Sequence, residues 1–91
     1  MLYFLEGYFT TTKCASISGL NEGGEFDDMT WEACKDLCLK DDMCKSFDWR
    51  EKKGYNCAIQ YVTRLTNPKS YKLKSSCKKS DWSNNEKVEC K

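Results

Sequence analysis

Seven cysteines in 91 residues, with no histidine anywhere, constrain this chain more than any other feature. Cysteine at that density in a short chain reads as a disulfide scaffold. A scaffold is also needed, because Leu, Ile, Val and Phe together supply only fifteen residues, too few to stabilise a domain by apolar burial alone. Disulfides persist in oxidising compartments, so the expected location is a secreted protein or the extracellular face of a membrane protein. The missing histidine removes His-based acid–base catalysis, Ser–His and Cys–His nucleophile pairs, and mixed Cys/His zinc sites. Four cysteines could still bind zinc, but their spacing lacks paired C-x2-C knuckles, and a C-x3-C helix is not the C-x-x-C of redox proteins. We expect a protein that is not an enzyme and needs neither cofactor nor metal.

At 10.6 kDa the chain is one domain. Its net charge of +1 hides a split: residues 1–48 carry −6 and residues 49–91 carry +7. Thirteen of the fifteen cations are lysine, which favours point-charge attraction over planar bidentate phosphate recognition. With no Gly-rich phosphate loop and no basic–aromatic RNA-binding run, no nucleic-acid partner is expected. No apolar run reaches membrane-spanning length, so no direct membrane insertion is expected either. Residues 1–7 read as an N-terminal extension, 8–80 as the folded domain and 81–91 as a polar C-terminal tail or edge segment.

Residue patterns place the elements. Tyr8 to Ile17, rich in Tyr, Phe and Thr, predicts a first strand, and Ser18 to Glu25, with three glycines, a loop. Thr30 is a good N-cap for a helix over Trp31 to Lys40 whose inner face carries Ala33, Cys34, Leu37 and Cys38. The acidic pairs Asp27-Asp28 and Asp41-Asp42 flank that helix, where capping and solvation account for them. Lys45 to Arg50 alternates polar and aromatic, sending Phe47 and Trp49 inward, and Tyr55 to Val62 alternates again, so the two form a hairpin across Glu51-Lys52-Lys53-Gly54. Ser70 to Cys77 predicts a last strand. Cys34 and Cys38, one helical turn apart, can each reach a different neighbour. Cys38 with Cys44 closes a short loop, and Cys57 on the hairpin's return strand is the natural partner of Cys34. Spacing leaves Cys14, Cys77 and Cys90 open.

The runs Thr30-Trp31-Glu32-Ala33-Cys34-Lys35-Asp36-Leu37-Cys38, Cys44-Lys45-Ser46-Phe47-Asp48-Trp49 and Tyr55-Asn56-Cys57-Ala58-Ile59 resemble the PAN/apple module. That family carries C-x3-C on a helix, then C-x-S/A-F-x-aromatic, then a later cysteine-bearing strand. The resemblance implies a small disulfide-rich α+β fold with a curved antiparallel β-sheet packed on one α-helix. It implies the bridges Cys34–Cys57 and Cys38–Cys44, and a third from first strand to last that maps onto Cys14 and Cys77. Cys90 departs from the pattern: it is a free thiol, a link giving a covalent dimer, or a competitor of Cys77 for Cys14.

The family's repertoire implies an extracellular adhesion or interaction module that binds a protein partner. The alternative is a glycan-binding, lectin-like module taking sulfated or acidic saccharides on a basic sheet face. Candidate ligand-binding residues are Arg50, Lys52, Lys53, Lys72, Lys74 and Trp82, with Lys78 and Lys79 nearby in sequence. Against this stands the plainer reading that these lysines only solubilise the sheet. Trp31, Phe47, Trp49 and Tyr61 are read as core aromatics, and Trp82, in a polar segment, as a lid or an exposed contact.

Overall fold

The computed structural model describes residues 8–88. Helix α1 (Trp31–Lys40) begins where the Ala33 N–H donates to Thr30 Oγ1 at 3.0 Å, and ends where the Asp41 N–H donates to the Cys38 carbonyl. Glu32 in its first turn and Lys40 in its last complement the helix dipole. Cys34 and Cys38 are fully buried, while Ala33 and Leu37 are half-buried beside them.

Seven strands accompany the helix among the described residues: β1 (Phe9–Lys13), β2 (Ala15–Ile17), β3 (Gly24–Asp27), β4 (Ser46–Trp49), β5 (Tyr55–Gln60), β6 (Tyr71–Leu73) and β7 (Ser83–Lys87). Five form an antiparallel sheet in the order β1-β7-β4-β5-β3, and β2 pairs with β6 in a second, two-stranded sheet. Helix α1 packs on β4 and β5. Between them Cys34, Cys38, Cys44, Phe47, Cys57 and Ile59 form the core, flanked by Phe9, Phe26, Trp31 and Trp49. Successive side chains of a strand point to opposite faces, so Asp48 leaves the sheet on the side away from Phe47, where it accepts the Ile17 N–H from β2 at 2.9 Å. The result is three layers, helix, five-stranded sheet and two-stranded sheet: a small disulfide-rich α+β domain.

Three intramolecular disulfides staple the layers. Cys34–Cys57 ties α1 to β5, Cys38–Cys44 closes the end of α1, and Cys14–Cys77 ties the β1–β2 junction to the segment before β7.

The structure departs from the sequence expectation in several places. The expected first strand breaks at Cys14, whose φ of 65° lies in the left-handed region that L-residues avoid. Its bridge to Cys77 holds it there, with the Lys74 N–H donating to Cys14 O and the Ala15 N–H donating to Trp82 O. The chain therefore changes sheets at this point. The expected loop up to Glu25 already contains the start of β3, paired with β5 through Gly24 opposite Ile59. The expected strand over Ser70 to Cys77 contracts to β6.

The largest departure is the expected polar tail. Residues 83–87 form β7, hydrogen-bonded to both β1 and β4, with Asn84 and Asn85 buried. The half-buried strand expected over Lys45 to Arg50 is buried on both faces along Ser46, Phe47 and Asp48, because layers cover both sides of β4.

Candidate functional site: a tryptophan-lined cleft

An open cleft of about 480 Å³ lies where β1 and β4 end, β7 begins and α1 starts. Thr11 and Lys13 come from β1, Trp31 from the first residue of α1, Trp49 from the end of β4, and Lys78, Asp81, Trp82 and Ser83 from the approach to β7. The Cys14–Cys77 bridge forms part of its wall. All three tryptophans of the chain therefore line one cavity.

Each indole is fixed by a specific contact. Trp31 Nε1 donates to Asn85 Oδ1 at 3.1 Å, and its ring lies 5.7 Å from that of the buried Phe47. Asn85 Oδ1 also accepts from Thr11 Oγ1, while its amide donates to the Phe47 carbonyl, so one buried carboxamide on β7 orients residues from β1 and α1. Trp49 Nε1 donates to Met29 O at 2.8 Å. Trp82 stacks under the Arg50 guanidinium at 4.3 Å and against the Tyr55 ring at 5.2 Å. These tethers hold the rings before any ligand arrives, which lowers the ordering cost of binding.

Charge at the cleft is unevenly partnered. Lys79 Nζ pairs with Glu51 at 3.2 Å, and Asp81 takes Lys74 Nζ at 2.9 Å while also accepting the Lys78 N–H. Those donors, the Lys78 backbone first and Lys74 second, hold the Asp81 carboxyl below its usual range. The ammonium groups of Lys13 and Lys78 form no ion pair among the described residues.

Compared with protein-family models, with curated proteins and with solved structures, the chain shows no match. The cleft itself must carry the functional argument.

The sequence candidates are distributed as follows. Trp82 lines the cleft. Arg50 stacks on it and donates from Nε and Nη2 to the Tyr55 carbonyl, stapling the β4–β5 hairpin. Lys52 and Lys53 line a separate, shallower depression with Asp28, Met29 and Asn56, which shares only Trp31, Trp49 and Glu51 with the main cleft. Lys72 is exposed on β6, and Lys74 is engaged by Asp81, so neither lines the tryptophan cleft. Cys90 lies outside the described residues. Lys13 was not singled out from sequence, although a signal exists: Lys13 and Lys78 directly adjoin the two cysteines of one bridge, so drawing Cys14–Cys77 brings them to one place.

A second polar feature lies between the two sheets. Asp48 accepts hydrogen bonds from Ile17 N, from Gln60 Nε2 at 2.8 Å and from Asn84 Nδ2 at 2.9 Å. Burial nonetheless pushes its carboxyl up to about 6, because desolvation outweighs these donors. Gln60 also donates to the Ile17 carbonyl, completing the link from the large sheet to the small one. Among the described residues no cluster of three metal-ligating side chains occurs, and no helix is long and apolar enough to cross a membrane.

Proposed function

We propose that this protein is an extracellular, non-catalytic recognition module of the PAN/apple type, and that it binds a protein partner through the tryptophan cleft. One observation carries this reading: three half-buried tryptophans, in a fold short of apolar residues, line a single open cavity, Trp31 and Trp49 while also packing against the core and Trp82 beside Arg50 and Tyr55. Tryptophan is the residue type most enriched among binding hot spots, because it contributes large contact area with little rotamer entropy to lose. The cavity volume is that of a pocket for a small molecule, which also leaves room for anchoring side chains of a partner to enter. The order of the three bridges, with one helix on an antiparallel sheet, supports the family assignment and an oxidising compartment.

The test is selection of a displayed random-peptide library on the oxidised protein, beside immobilised acidic, sulfated and neutral oligosaccharides. Enrichment of peptides by the native protein, lost on Trp82→Ala with the melting temperature held, is the expected result. Retention of saccharides without peptide enrichment would replace this reading by a lectin function, and enrichment of neither would overturn the assignment of the cleft.

A further inference from the structure

We infer, on the reading of the cleft as a protein-recognition site, that its partner presents an acidic segment: carboxylates that meet Lys13 and Lys78, beside an apolar side chain that lies against Trp31 and Trp49. The fold brings five charged side chains to this cavity and treats them differently. Glu51 and Lys79 neutralise each other, and Asp81 is consumed by Lys74 and by the Lys78 backbone. Lys13 and Lys78 remain, each adjoining one end of the Cys14–Cys77 bridge: neither ammonium makes an ion pair with a described carboxylate, although the Lys78 charge also reaches Asp81.

Both ammonium groups belong to residues that line the one cavity and adjoin one covalent link, so an anionic group bound there is attracted by both. The apolar half of the recognition follows from the indoles beside them. A carboxylate beside each of Lys74 and Lys79 reduces the net field they offer a partner, so they contribute less. Exposed cations outside the cleft, Lys72 among them, attract a polyanion without selecting one.

Two series of blocked, tryptophan-free heptapeptides test this: a central Leu or Phe flanked by Glu, and the same sequences with Gln. Intrinsic tryptophan emission of the oxidised protein is the readout, since every indole lines the cleft. The Glu series should bind about tenfold more tightly than the Gln series, and its affinity should fall severalfold as salt rises from about 50 to about 500 mM. Lys13→Gln with Lys78→Gln should erase that preference while the melting temperature holds, and Lys72→Gln should leave it intact. Equal binding of the two series, or a preference that survives the double variant, overturns the acidic-partner inference. A library selection that enriches neutral or basic peptides also overturns it but leaves the recognition function standing, whereas a selection that enriches no peptide at all removes the function beneath it.

Discussion

Asp48 shows how a single residue joins two sheets at a cost. Its folded carboxyl titrates at about 6, against an ordinary value of 3.8, so the native state holds this proton more tightly than the unfolded chain. The stabilisation from protonation is complete below the ordinary value and is lost as pH rises through about 6. Relative to Asp48→Asn, which removes the titration, the native protein should gain roughly 2 kcal/mol between pH 7 and pH 4 in denaturant unfolding with disulfides intact. A flat difference would place Asp48 in a wetter setting than its contacts describe. Asp48→Ala should cost more at every pH, because three donors lose their acceptor. Gly23 is a second residue with no latitude. A methyl group there would stand 2.2 Å from Ile59 Cγ2, while the Gly23 N–H donates to the Ile59 carbonyl. Gly23→Ala should therefore cost roughly 1–3 kcal/mol. Combined with Ile59→Ala it should cost less than the two changes added, since the second substitution removes the nearest colliding atom, Cγ2, although Cβ at 2.7 Å remains.

At the scale of elements, α1 was readable because Thr30 caps it, no glycine or proline interrupts it, and two cysteines mark its inner face. β4 and β5 were readable because aromatic and apolar side chains alternate along them. β7 was not, since Ser83-Asn84-Asn85-Glu86-Lys87 has no apolar residue to betray burial. Its two asparagines are buried because Asn84 donates to the Asp48 carboxylate while Asn85 donates to the Phe47 carbonyl and accepts from the Thr11 hydroxyl, a logic that hydrophobic periodicity cannot register. The same blindness hid the cleft. Each tryptophan could be noted singly, but their convergence depends on the N-terminus of α1 meeting the start of β7. Asn85 links the two facts, and Asn85→Ala should destabilise the domain by about 1–3 kcal/mol by leaving the Trp31 and Thr11 donors without an acceptor. Near-ultraviolet circular dichroism should show the Trp31 signal weakened in the same variant. An unchanged spectrum and stability would mean that β7 contributes only backbone pairing.

For the whole molecule, the three bridges are unequal. They span sequence separations of 63, 23 and 6 residues for Cys14–Cys77, Cys34–Cys57 and Cys38–Cys44. Loop-closure entropy then assigns them about 4, 3 and 2 kcal/mol respectively. Accessibility runs the same way, since Cys77 is exposed whereas Cys34, Cys57, Cys38 and Cys44 are buried. Graded reduction followed by alkylation should therefore label Cys14 and Cys77 first, and the species with only that bridge open should show the largest loss of melting temperature compatible with a remaining fold. Labelling of Cys34 or Cys57 first would contradict the burial of the core bridge. The pairing of β1 with β7 has a mechanical consequence. Phe9 stands opposite Lys87, so the described chain enters and leaves the sheet at one point. Tension applied at those two positions would load the antiparallel ladder one rung at a time, the weak direction for a sheet. Peeling would run from Phe9 towards Lys13 and stop at Cys14, where a covalent link to Cys77 shields everything between from the load. Stretched in this way, the domain would give up β1 and then β7, which also lies in the load path beyond Cys77, and with them the cleft, yet keep its helix and hairpin folded behind the bridge, ready to recoil when the force is released.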